Sequence, residues 1–88
     1  MELKHSEVPI LYLVIPCYNE EEALPVTAKK LKSKMQDLIA NYQISENSHV
    51  IFVNDGSKDN TWNQIELLHA EDNLFRGIKL SRLSLIHR

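Results

Sequence analysis

The chain contains two short apolar runs, at residues 10–15 and 50–53, and each run ends in a polar turn. The first run is continuous and rich in branched side chains, which is typical of a strand covered on both faces of a parallel sheet. Pro16 follows the first run and has no backbone N–H to donate, so we expect strand pairing to stop there. The pattern therefore predicts two strands, each of which delivers a polar turn.

The first connection between these strands is predicted to be an amphipathic helix over residues 23–39. Its apolar positions recur at helical spacing, at Leu24, Ala28, Leu31, Met35, Leu38 and Ile39. Pro25 falls in the first turn, where the missing N–H leaves no intrahelical bond unmade. Three glutamates at residues 20–22 stand at the N-terminal end, where acids favour the helix dipole.

A second helix and a third strand are predicted to follow the second polar turn. The Asp-Asn-Thr sequence at residues 59–61 can cap the helix, and the Asp-Asn pair at residues 72–73 closes it. The inward positions of this helix are Trp62, Ile65 and Leu67 or Leu68. The third strand covers about residues 76–80.

The alternation of strands and helices indicates parallel strands joined by right-handed crossovers. The predicted fold class is therefore α/β, with every strand-to-helix turn at one edge of the sheet. Ligands of open α/β sheets bind in the crevice outside the carboxyl ends of the strands. We therefore expect a functional site where the turns after residues 15 and 53 meet.

Length and charge exclude several classes of function. The chain has 88 residues and a formal charge of −2, which fits one small domain and not the basic surface of a nucleic-acid binder. No apolar run approaches the roughly 20 residues that a membrane-spanning helix needs. Cys17 is the only cysteine, so no internal disulfide can form, and the polar N-terminus does not resemble a secretory signal. We therefore expect a cytoplasmic protein.

The two polar turns carry side chains suited to recognising a nucleobase. The only glycines are Gly56 and Gly77, so neither a dinucleotide-binding loop nor a phosphate-binding P-loop can be drawn. Tyr18 offers a ring that can cover one face of a base. Asp55 offers a fixed acceptor for a ring N–H, such as the imide of uracil. Gly56 directly after Asp55 permits a positive φ and a close approach of the ligand.

Pro16, Tyr18, Asn19 and Glu20, followed by Asp-Gly-Ser at residues 55–57, resemble the two nucleotide motifs of family 2 glycosyltransferases, which have the GT-A fold. The resemblance covers residues 8–82. It implies a partial nucleotide-binding domain, the parallel βαβαβ half of a Rossmann-like nucleotide-diphospho-sugar transferase fold, incomplete here. It also implies contacts with the uridine of a UDP-sugar, made by the backbone near Pro16 and the side chains of Tyr18, Glu20 and Asp55. Asn19 would order the turn.

The branch of the family that glycosylates polyprenyl phosphates is the most similar. The triple glutamate, the Leu24-Pro25 pair and the sequence of residues 52–57 look most like this branch, which includes bactoprenol glucosyltransferases and dolichol-phosphate mannose synthases. The resemblance implies UDP-glucose as the donor and undecaprenyl phosphate as the acceptor. Complete relatives would act at the cytoplasmic face of the membrane.

The resemblance breaks at Leu83, which stands where an asparagine of the family's third motif is expected. Residues 83–88 are therefore interpreted as a divergent tail, and residues 1–7 as a flexible N-terminus. The sequence contains no Asp-x-Asp, the motif that holds Mg²⁺ or Mn²⁺ beside the diphosphate in relatives. The complete enzyme is expected to need such a metal, with none bound by the residues present here. We expect the N-terminal part of a glycosyltransferase, inactive by itself.

Three alternatives stand beside this interpretation. The acids at residues 20–22 and Asp55 could bind Mg²⁺ in a phospho-acceptor receiver domain, but that needs a lysine at a strand end and Lys79 falls inside a strand. A cysteine hydrolase would use Cys17 with a histidine base. However, His49 is predicted at the opposite edge of the sheet, roughly 15 Å away at about 3.3 Å per residue. The third alternative is an inactive remnant or interaction module with an exposed strand edge.

Overall fold

Three strands and two helices alternate along the part of the chain that the structure describes. The computed structural model describes residues 7–80. Its elements are β1 (Tyr12–Cys17), α1 (Leu24–Ala40), β2 (His49–Asp55), α2 (Thr61–Glu71) and β3 (Phe75–Leu80). The strands are parallel and lie in the order β1-β2-β3. The predicted α/β class and βαβαβ order are confirmed.

The hydrophobic core lies between the two helices and one face of the sheet. Val50 and Phe52 of β2 point to this face and are fully buried, whereas Ile51 and Val53 are half-buried. Phe52 stacks on Phe75 of β3, with the ring centroids 5.7 Å apart. The helices close the layer with further buried apolar side chains, which are Leu24, Ala28 and Met35 of α1 and Ile65 of α2.

The opposite face of the sheet is left uncovered by residues 7–80. Tyr12 and Val14 of β1 are 58% and 56% exposed, and Ile78 of β3 is 46% exposed. The register places Val14 beside Ile51 and Val53 beside Ile78, so apolar side chains form adjacent rows. The prediction that β1 is covered on both faces is therefore wrong for the described residues. With this strand order, right-handed crossovers place both helices on the same face.

Pro16 lies inside β1 and does not end it, contrary to the prediction. It stands opposite Val53 in the ladder, and Cys17 stands opposite Asn54. Because β1 is an edge strand that pairs only with β2, the nitrogen of a proline can face away from the ladder without losing a hydrogen bond. The first polar turn therefore begins at Tyr18.

The helix ends differ in detail from the predicted caps. Ala23 is the N-cap of α1 and makes no side-chain hydrogen bond, and the glutamates at residues 20–22 precede the first turn instead of lying in it. Asn60 is the N-cap of α2, and Asp72 is its C-cap, as the sequence predicted. Asp72 also pairs with Lys32 of α1 over 2.8 Å, which ties the two helices together.

The predicted N-terminal segment, residues 1–7, lies outside the described residues except for Glu7. The predicted tail, residues 83–88, also lies outside them. Between residues 7 and 80, neither helix combines the length and the apolar character required to cross a membrane.

Candidate functional site

Two polar turns meet at the carboxyl edge of the sheet. Cys17 and Asn54 are register partners near the ends of β1 and β2, so Tyr18 and Asp55 come next on neighbouring chains. Asp55 also stands opposite Leu80 of β3, which places it in the middle of this edge. The structure therefore brings Tyr18 and Asp55 to adjacent positions, as the parallel arrangement requires.

Tyr18 and Asp55 are both open to solvent. The Tyr18 side chain is 55% exposed, and Asp55 is the exposed last residue of β2. Within residues 7–80, neither side chain takes part in a hydrogen bond or an ion pair. An exposed carboxylate beside an exposed ring can accept a hydrogen bond from a flat ligand that stacks on the ring.

Each turn depends on a residue in the left-handed region of φ. Asn19 has a φ of 50° and Gly56 a φ of 70°. Asparagine tolerates this region better than most side chains, and glycine adopts it without steric cost. No atom lies within 4 Å of the place where a Cβ of Gly56 would be, so this glycine serves the backbone turn and not close packing.

Asn19 joins the first turn to the second. Its Oδ1 accepts a hydrogen bond from the backbone nitrogen of Lys58 over 2.8 Å, and its own backbone nitrogen donates to Oγ of Ser57 over 2.9 Å. The two turns therefore fix each other's position, which gives Asn19 the ordering role that the resemblance implied.

Asp59 and Thr61, which sequence reasoning treated only as possible helix caps, fix the rest of the first turn. The backbone nitrogen of Glu20 donates to Oγ1 of Thr61 over 2.8 Å, and that of Glu21 donates to Oδ2 of Asp59 over 3.2 Å. The Thr61 hydroxyl in turn donates to Oδ1 of Asp59. These hydrogen bonds, above all the one from Thr61, hold the pKa of Asp59 below its ordinary value. The only sequence signal for this role is the Asp-x-Thr spacing ahead of α2.

Pro16 and Glu20 share a small pocket on the α1 side of the first turn. The pocket has a volume of about 220 Å³ and is lined by Ile15, Pro16, Cys17, Glu20, Leu24 and Thr27. Tyr18 and Asp55 do not line it. The four residues of the predicted uridine site therefore divide into two exposed pairs, with Tyr18 and Asp55 at the sheet edge and Pro16 and Glu20 at this pocket.

The geometry weighs against the cysteine hydrolase alternative. Cys17 is 3% exposed, and its Sγ donates to the carbonyl oxygen of Ile15 over 3.6 Å. Burial, and secondly the charge of Glu20, raises the pKa of the Cys17 thiol and so disfavours the thiolate nucleophile. His49 begins β2 and pairs with Tyr12, at the opposite edge of the sheet from Cys17. Cys17 is therefore a buried residue at the end of β1.

The acids at this edge do not form a metal centre. Between residues 7 and 80, no group of three His, Cys, Asp or Glu side chains could hold an ion, and the sequence has no Asp-x-Asp. The described residues therefore do not fit the divalent ion implied for the complete enzyme. Lys79 lies within β3 with its Nζ 5.8 Å from the centroid of Trp62. A lysine engaged in this way does not serve Asp55 as a receiver domain would require.

The sequence of residues 12–85 matches the model of one protein family, Glycosyl transferase family 2. The chain belongs to this family. The match includes β1, both polar turns and the residues that join them. The three parallel strands and two helices are accordingly a partial GT-A unit, and family 2 membership replaces the receiver-domain alternative.

Three relatives agree with family 2 membership. The uncharacterized glycosyltransferase YkoT of Bacillus subtilis (strain 168) is 40% identical over 79 residues, which are 90% of this chain and 23% of the relative. The bactoprenol glucosyl transferase of Shigella phage SfV is 39% identical over 70 residues, 80% of this chain and 21% of the relative. The undecaprenyl-phosphate 4-deoxy-4-formamido-L-arabinose transferase of Shewanella sediminis (strain HAW-EB3) is 33% identical over 82 residues, 91% of this chain and 23% of the relative.

The family 2 chain thus spans between 21% and 23% of the length of these relatives. No solved structure matches it significantly.

Proposed function

We propose that this family 2 chain binds the uridine of a UDP-sugar through its two polar turns. The observation that carries the proposal is the exposed Asp55 carboxylate, which has no partner among residues 7–80 and lies beside the exposed ring of Tyr18. Uracil presents an imide N–H that can donate a hydrogen bond to a carboxylate. Cytosine presents a lone pair at the same ring position, which a carboxylate cannot bind. Asp55 would therefore favour uracil, with the backbone near Pro16 and the side chain of Glu20 completing the contacts.

We propose a polyprenyl phosphate as the acceptor in the complete enzyme. The names of two relatives support this choice, because one acts on bactoprenol and the other on undecaprenyl phosphate. Glucose is the proposed donor sugar, after the bactoprenol glucosyl transferase. The second relative is named for a different sugar although it shares the same segment, so we place the choice of sugar in residues beyond this segment. Such an enzyme would work at the cytoplasmic face of a membrane.

In the complete reaction, an oxygen of the acceptor phosphate would displace UDP from the anomeric carbon of the sugar. The proposed part of this chain is to bind and orient the uridine, which fixes the position of the rest of the donor. Neither a base nor a diphosphate clamp is assigned to its residues.

Titration calorimetry of the 88-residue chain with UDP and CDP tests the proposal. Wild type should bind UDP more tightly than CDP, and Asp55→Ala should lose about 1.5–3 kcal/mol of UDP binding free energy, as for a hydrogen bond to a charged group. Asp55→Asn should narrow the difference between the nucleotides, because its amide can donate to cytosine. Asp72→Asn, at the opposite edge, is the control and should bind like wild type. Equal binding of UDP and CDP by wild type would refute the assignment of Asp55.

A further inference from the structure

Three consecutive backbone amides of the first turn each donate a hydrogen bond to a side chain at or just before the start of α2. Asn19 donates to Ser57, Glu20 to Thr61 and Glu21 to Asp59, over 2.9, 2.8 and 3.2 Å. These partners lie 38 to 41 positions away in sequence. The turn precedes α1, so these three amides do not take part in the hydrogen bonds of that helix.

Thr61 and Asp59 form the centre of this arrangement. Thr61 is fully buried, and its Oγ1 accepts from Glu20 while it donates to Oδ1 of Asp59. The same Oδ1 accepts the backbone N–H of Thr61 over 3.0 Å, and Oδ2 accepts that of Glu21. Both carboxylate oxygens of Asp59 and both the donor and an acceptor site of the Thr61 hydroxyl are therefore engaged in holding the two segments together.

We infer that Asp59 and Thr61 are positioning residues, which hold the turn at residues 18–21 in the conformation that presents Tyr18 to a nucleotide. The inference rests on the proposed function for its effect on UDP, and on the hydrogen bonds above for its structural part. Asn19 occupies the left-handed region, which a free turn would populate only in part. Removing the hydroxyl of Thr61 would leave the Glu20 amide without its partner and release the turn. A turn that must be ordered on binding lowers affinity, even though the nucleotide contacts are intact.

The test compares Thr61→Val, which keeps the shape of the side chain and removes the hydroxyl, with Thr61→Ser, which restores the hydroxyl. Asp59→Asn adds a surface variant that does not disturb the core. Asp72→Asn is the matched control, because Asp72 also accepts a backbone amide two residues ahead, that of Leu74 over 2.9 Å, but lies at the opposite edge. Two quantities are measured on the 88-residue chain: amide hydrogen exchange by NMR, and UDP affinity by titration.

In Thr61→Val, exchange at Glu20 and Glu21 should accelerate by about tenfold or more, which corresponds to the loss of one hydrogen bond. Exchange at Val50 and Phe52 in the core should stay slow. UDP affinity should fall by about tenfold in Thr61→Val, less in Asp59→Asn, and recover in Thr61→Ser. Asp72→Asn should match wild type in UDP affinity and in the exchange rates of Glu20 and Glu21.

The outcomes separate this inference from the proposed function. If wild type binds no UDP, the proposed function is wrong, and the exchange rates of Glu20 and Glu21 still decide the positioning role. If wild type binds UDP and Thr61→Val changes neither the exchange rates nor the affinity, the positioning role is wrong and the proposed function stands. Global acceleration of exchange, at Val50 as much as at Glu20, would show a general loss of stability and also overturn the positioning role.

Discussion

Gly77 of β3 lies directly beneath Ile65 of α2, so close that a Cβ on this glycine would be 2.5 Å from Cγ2 of Ile65. The ring of Trp62 would be 3.2 Å away. At Gly77, helix α2 therefore packs directly on the backbone of β3. This close approach brings the start of α2, with Asp59 and Thr61, down to the sheet edge where the two turns meet.

Gly77→Ala should destabilise the chain by about 1–3 kcal/mol, the usual cost of forcing an extra group into a tight contact, here the one between β3 and α2. The measurement is the free energy of unfolding in urea, followed by circular dichroism. Gly56→Ala is the matched comparison. It should cost about 1–2 kcal/mol through backbone strain alone, because Gly56 has a positive φ and open space around it. Gly56→Asn should recover part of that loss, and Gly77→Asn should recover none. A stable Gly77→Ala would contradict the packing of α2 described above.

Stability should fall in acid as the ion pair between Asp72 and Lys32 is lost. The hydrogen bond from Lys32, followed by that from the Leu74 backbone, lowers the pKa of Asp72 in the folded chain. A lowered pKa contributes stability above the ordinary pKa of aspartate, about 3.9, and that contribution disappears as the pH falls through the folded value. Asp72→Asn should therefore cost about 0.2–1 kcal/mol at neutral pH, since the pair is partly exposed. Below the folded pKa, urea unfolding should show little difference between Asp72→Asn and wild type.

Cys17 should react slowly with a thiol reagent such as DTNB in the folded chain and rapidly in urea. Its side chain is buried, and both burial and the charge of Glu20 raise its pKa. Glu20→Gln removes one of these causes, so the pKa of Cys17 should fall and the reaction at pH 8 should accelerate. Glu22→Gln serves as the control and should react like wild type. A rate in the folded chain equal to that in urea would contradict the burial of Cys17.

The 88 residues by themselves should transfer no sugar, with or without Mg²⁺ or Mn²⁺. The sequence has no Asp-x-Asp and offers no identified base, and leaving the diphosphate charge unneutralised costs several kcal/mol, where each 1.36 kcal/mol is about tenfold in rate. A radiolabelled UDP-glucose assay with undecaprenyl phosphate makes the measurement. Detection of metal-dependent transfer by the purified chain would show that its own residues hold the missing functions.

The strands, the helices and the meeting of Tyr18 with Asp55 could be predicted because each depends on local pattern and on the rule for parallel connections. The continuation of β1 through Pro16 could not be predicted, because it depends on β1 being an edge strand. The position of a strand at an edge is a property of the whole sheet. The hydrogen bonds from the first turn to Asp59 and Thr61 could not be predicted for a similar reason. Side chains that cap a helix and side chains that bind a distant turn have the same local spacing.

The apolar rows formed by Tyr12, Val14 and Ile78 also affect how the folding of this chain would be judged in the laboratory. The fluorescence of dyes such as ANS increases when they bind accessible hydrophobic surface, and this increase is commonly taken to indicate a molten globule. This sheet offers such a surface while Val50 and Phe52 remain fully buried on its other side. A well-packed sample would thus increase the fluorescence of the dye as a misfolded sample does. Near-ultraviolet circular dichroism or slow amide exchange would be needed to reveal its ordered core.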